Sequence, residues 1–140
     1  MKSMYETVTK KLKPDWILLV IRLVLGVIFV QSGLGKLMDF GQTVQFFASL
    51  GIPAPAINAG VASTMELTGG IALIAGLGVR ILSIPLIFIM IVAILTVQLS
   101  AIAGIEDLIR LQEFDYILMF LVLIIMGAGK YSLDYFLKRL

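Results

Sequence analysis

ILLVIRLVLGVIFVQSGLGK, residues 17–36, decides the fold. Arg22 sits inside it with six uncharged residues before it and thirteen after it, up to Lys36. A run of about 20 apolar residues spans a bilayer as a helix. An arginine inside such a run costs about 2.5–3.5 kcal/mol at the membrane centre on insertion scales. It is expected to face protein, and it marks a candidate functional position.

The rest of the chain repeats this pattern. Of 140 residues, 60% are hydrophobic, and the mean hydropathy is +1.07. The few charges fall in short zones between long apolar runs, as in a polytopic membrane protein. Expected spans lie at about 16–37, 56–78, 81–103 and 115–133. The length allows one membrane domain, 1–140, expected as an all-α, antiparallel four-helix transmembrane bundle. Pro85 is read into the first turn of the third span, where its missing N–H costs little. Tyr116 and Tyr131 bracket the fourth as interfacial anchors.

Short interfacial helices are expected between the spans. Residues 1–15 read as a basic surface helix with Met4, Tyr5, Val8 and Leu12 on one side, or as a frayed tail. In FGQTVQFFASLGIPAP, 40–55, Val44, Phe47 and Ala48 share a face that Gly51 and Pro53 end. It is an interfacial or re-entrant helix, or a loop over the bundle mouth. The acidic stretch GIEDLIRLQEFD, 104–115, puts Ile105, Leu108 and Ile109 together on another short helix. No cleavable signal is read at the start. Lys and Arg number eight in the two tails and the second loop against two, Lys36 and Arg110, in the first and third loops. That asymmetry puts both termini in the cytoplasm of a cell-membrane protein.

Cysteine and histidine are both absent. Haem ligated by histidine, cysteine-bound iron–sulfur clusters, His/Cys zinc sites and thiol chemistry are thereby excluded. No metal site is expected, and no catalytic residue is assigned. The expected partners are the lipid bilayer, a second copy or another subunit, with no nucleic acid.

Polar residues inside the spans carry what chemistry there is. At 100° per residue, Gly26, Phe29, Gly33 and Lys36 fall within about 40° of Arg22. On the second span Gly70, Leu73, Leu77 and Arg80 share the direction of Glu66, with Gly69 and Gly76 beside them. The structural glycines Gly26, Gly33, Gly69 and Gly70 are expected to let helices approach closely. Arg22 and Glu66 are candidates for ligand binding or proton exchange in one pocket, or for a packing ion pair. Counting rises from the helix ends leaves them about 10 Å apart in depth. Gln31, Ser32 and Gln98 are further candidates in a polar pocket, or bonds between helices. Lys36 and Arg80 read as snorkelling anchors, and Met38, Met65, Met90, Met119 and Met126 as packing.

Four stretches together resemble the DoxX family of small membrane proteins: RLVLGVIFVQSGLGKL at 22–37, LGIPAP at 50–55, ELTGGIALIAGLGVRI at 66–81 and MIVAILTVQLS at 90–100. The resemblance implies a four-helix membrane bundle linked to quinone-coupled oxidation. It implies a subunit that binds a quinone or similar lipid-soluble molecule for a partner oxidoreductase. Relatives carry histidine where this chain has Ser32 and Gln98, so a mechanism through imidazole is not carried over. The rival readings are a non-enzymatic assembly subunit and a small transporter.

Overall fold

A computed structural model of the protein describes residues 15–138. The basic surface helix expected at 1–15 therefore lies outside the described residues, Asp15 excepted. Among the described residues every regular element is helical. They are α1 (Asp15–Met38), α2 (Phe40–Ser49), α3 (Pro55–Ala75), α4 (Val79–Ala93), α5 (Ile105–Ile109), α6 (Gln112–Met126) and α7 (Leu133–Leu137). α4 runs on through a π turn, Ile94–Gln98, and a 3₁₀ turn, Leu99–Ala101.

Three helices are long and apolar enough to cross a membrane: Asp15–Met38, Pro55–Ala75 and Val79–Ala101. α6 holds the fourth expected place with only 15 residues. The first expected short helix forms as α2, while the second is confined to the five residues of α5 and its expected C-terminal part, from Gln112, belongs to α6. Asp107 opens α5 by accepting hydrogen bonds from the N–H groups of Ala103 (3.0 Å) and Gly104 (3.3 Å). Pro85 departs from expectation. α4 begins at Val79, so Pro85 lies in the helix interior and the Ile81 carbonyl loses its usual donor.

The bundle is made of two close pairs, α1 with α3 and α4 with α6. In α1 and α3, backbone approaches backbone. A Cβ on Gly33 would lie 2.5 Å from the Leu67 nitrogen and 2.7 Å from the Ser63 oxygen. One on Gly70 would lie 2.7 Å from the Val30 nitrogen, and one on Gly26 2.9 Å from the Gly70 oxygen. The two helices are thus antiparallel and locked in one register. Gly69, the next residue, instead makes room for Leu86 of α4. Between the pairs, Leu25, Phe29, Leu73, Leu86, Phe120 and Leu123 form the core. Phe29 meets Phe120 edge-on at 5.2 Å and Tyr116 at 5.8 Å between centroids.

The end of the bundle where α1 begins is closed by the C-terminal segment. α3 stops at Gly76 (φ +73°), where Leu77 N–H bonds the Ala72 carbonyl and Gly76 N–H the Leu73 carbonyl. Arg22 is completely buried there, and its Nη2 donates to the Tyr131 carbonyl at 2.6 Å. Its Nε and Nη1 have no hydrogen-bond partner among the described residues. Asp134 is the carboxylate that acts on this cation. It also accepts from Gly78 N–H (2.8 Å) and Val79 N–H (3.3 Å), capping the start of α4. That is where an anion is stabilised by the unpaired N–H groups and the helix dipole.

Two stability predictions follow from these contacts. Gly33→Ala is expected to destabilise by about 1–3 kcal/mol through overpacking. Gly35, with nothing within 4 Å, takes alanine without such a clash. Thermal unfolding in detergent checks the pair: Gly33→Ala lowers the midpoint, Gly35→Ala does not. Gly76 and Gly78 separate strain from overlap. Both have positive φ, but only a Cβ on Gly76 would run into the Arg22 guanidinium, while Gly78 meets nothing nearer than 3.7 Å. Gly76→Ala should therefore melt below Gly78→Ala, and equal midpoints would remove the claim that Arg22 fills that corner.

Candidate functional site

Glu66 lies in the middle of α3 and is 1% exposed. A carboxylate so placed needs partners, and α1 supplies two from one face. Ser32 and Lys36 are four residues apart, so both lie over the same strip of α3. Lys36 Nζ donates to both carboxylate oxygens, at 2.6 Å to Oε1 and 2.5 Å to Oε2. Ser32 Oγ donates to Oε2 at 2.8 Å. The Lys36 side chain remains about one-third exposed (32%), so the ion pair is buried on one side and open on the other.

The open side is a cavity of about 620 Å³. That size suits a small-molecule ligand. Phe29, Phe47, Met90 and other apolar side chains form most of its wall. α2 closes it over the end of the bundle through Phe46 and Phe47. Across from Glu66, α6 contributes Glu113 and Tyr116. Val61, Phe88 and Val97 also line it while being 56%, 66% and 41% exposed on the outer surface. Part of the cavity wall therefore reaches the outer surface of the bundle, at α3 and α4.

This arrangement offers one polar point in an apolar space. A lysine ammonium has three N–H donors, and Glu66 engages at most two of them. The remaining donor can meet a carbonyl or hydroxyl of a ligand, and the carboxylate can accept a hydroxyl. Proton exchange between ligand and carboxylate needs no other group than these.

The helices place the sequence candidates in two separate sites. The single pocket joining Arg22 and Glu66 does not form. The α1–α3 register sets Arg22 against Gly76 and Ser32 against Glu66, ten residues farther along α1, about 15 Å by helical rise. Each ion finds its own partners. Of the remaining candidates, Ser32 joins Glu66. Gln31 is exposed on the outer side of α1, and Gln98 sits half-buried in the π turn. Neither makes an interhelical hydrogen bond among the described residues, and neither lines the cavity. Lys36, read as a snorkelling anchor, is the counter-ion of Glu66. Its signal was present in the sequence, because it shares the stripe of Arg22 and Gly33. Tyr116, read as an interfacial anchor, packs on Phe29 and faces the cavity, which no spacing indicated.

Comparison with known proteins agrees with this architecture. The chain is 35% identical over 123 residues to a Bacillus subtilis protein named "Putative oxidoreductase CatD", covering 86% of this chain and 87% of that one. It is 39% identical over 72 residues to the Escherichia coli inner membrane protein YphA, about half of each chain. A second Escherichia coli inner membrane protein, YqjF, is 25% identical over 93% of this chain and 98% of its own. No solved structure matches. The DoxX profile matches residues 17–99, the region holding Arg22, Ser32, Lys36 and Glu66, and the chain belongs to the DoxX family.

Proposed function

We propose that this membrane protein binds a quinone or similar lipid-soluble molecule in the cavity at Glu66, in support of a partner oxidoreductase. One observation carries the reading. A buried carboxylate, neutralised by Lys36 and hydrogen-bonded by Ser32, forms the polar point of a mostly apolar cavity whose wall reaches the outer surface of the bundle. Such a site suits a flat ring with an oxygen substituent and an apolar tail entering from the bilayer. Lys36 would donate to the ring oxygen and Glu66 would take or give its proton. The name of the Bacillus subtilis relative supports a redox setting. The chain has neither cysteine nor histidine, so the electrons would pass through a partner.

The test is a titration of a short-tailed quinone against the purified protein. Losing a hydrogen bond to a charged group costs about 1.5–3 kcal/mol. Lys36→Met and Glu66→Gln are each expected to weaken binding at least tenfold, while Gln31→Leu on the outer face leaves it unchanged. Equal affinity in wild type and both variants sinks the proposal.

The charge distribution further supports a cell-membrane protein with its termini in the cytoplasm and the Glu66 cavity in the outer half. Because the chain lacks cysteine, single introduced thiols report this cleanly. Ala103→Cys should react with an impermeant thiol reagent on intact cells, and Lys138→Cys only after the membrane is opened. The reverse pattern would invert the topology.

A further inference from the structure

A second cavity of about 470 Å³ lies at the other end of the bundle, where α1 and α4 begin and the 126–138 segment passes. Three cations line it, Arg80, Lys130 and Lys138, and all three are exposed. Two carboxylates line it as well, but both are engaged. Asp15 accepts from the Lys130 N–H at 3.1 Å and lies 4.0 Å from its Nζ. Asp134 caps α4 through the N–H groups of Gly78 and Val79. Lys130 is thus matched to Asp15, whereas Arg80 and Lys138 have no carboxylate partner among the described residues.

Arg80 is held in position. Its Nη2 donates to the Ile125 carbonyl at 3.3 Å. Gly127 (φ +83°) lies beneath it, so close that a Cβ would stand 3.1 Å from Nε. A snorkelling side chain needs no such seat. Next to these cations the same cavity is lined by Ile81 and Met126, 74% and 49% exposed. Fixed positive charge beside outward-facing apolar side chains, at the end of membrane-crossing helices, is an amphiphilic pattern.

We propose that this cavity binds the headgroup phosphate of an anionic phospholipid. Arg80 and Lys138 hold the phosphate, and Ile81 and Met126 meet the upper acyl chains. A planar guanidinium suits paired phosphate oxygens, and the lysine adds a point charge. Free phosphate would use the cations alone and leave the apolar neighbours without a role, so the lipid is the occupant the lining favours.

The experiment is native mass spectrometry of the full chain in detergent. It is titrated with phosphatidylglycerol, with phosphatidylcholine of the same acyl chains, and with inorganic phosphate. Wild type should retain phosphatidylglycerol in preference to phosphatidylcholine. Each basic residue near an anionic surface contributes about fivefold in affinity, so Arg80→Gln and Lys138→Gln should each weaken the anionic lipid by about that factor. The double variant should abolish the preference, while Arg80→Lys, which keeps the charge but loses the paired contact, should fall between wild type and Arg80→Gln. Both side chains are exposed, and unchanged melting midpoints will show that the variants are folded. Equal retention of the two lipids overturns the proposal. So does a double variant that binds like wild type, or inorganic phosphate displacing the lipid at low millimolar concentration.

Discussion

Direct backbone contact between α1 and α3 is the constraint on which the rest of the structure depends. Gly26 and Gly33 on one helix and Gly70 on the other leave no room for any side chain between them. In lipid, where apolar burial gives little drive for helices to associate, close packing of small residues does that work. The contact also fixes register. Once Gly33 lies against Ser63 and Leu67, Ser32 and Lys36 must face Glu66, and Arg22 must face Gly76. Both polar sites are consequences of where three glycines touch.

Burying Glu66 is tolerable because its compensation is complete. An isolated charge in an apolar interior would be prohibitively expensive, and truncating one partner of a buried pair costs about 3–5 kcal/mol. Here Lys36 and Ser32 together contact both carboxylate oxygens. The cavity adds a further condition. Lys36 is covered on one side by α3 and open on the other, which keeps a donor accessible without releasing the pair. Arg22 is treated in the opposite manner. It is sealed entirely and matched by a carbonyl and a nearby carboxylate rather than by an ion pair in contact. One cation belongs to a site that can be approached, the other to a closed joint.

Much of this was legible in the sequence, and the boundary is physical. Apolar runs mark three helices long enough to cross, because the bilayer enforces length, while the fourth expected span is matched only by the 15-residue α6. The stripe of Arg22, Gly26, Phe29, Gly33 and Lys36 was correct, because helical periodicity fixes which residues share a face. Face does not give depth. The offset between Arg22 and Glu66 depends on how α3 slides along α1, and only the glycine contacts determine that. Lys36 was on the right stripe, yet its position at a span end suggested water rather than Glu66. Tyr116 could not be placed in the cavity, because α6 reaches Phe29 only through tertiary packing. Pro85 falls inside α4 rather than in its first turn because α4 starts at Val79, directly after the Gly76–Gly78 turn and under the cap from Asp134.

That cap has a consequence for how the protein is made. The carbonyl of Tyr131, which accepts from Arg22, and the carboxylate of Asp134, which caps α4, lie after all the membrane-crossing helices. A ribosome delivers them only after those helices. Until then a fully buried cation has no acceptor, and two backbone N–H groups at the start of α4 have no anion. Closing that end therefore follows the synthesis of the membrane-crossing helices. A chain that stopped short of residue 131 would leave this buried arginine without its carbonyl acceptor.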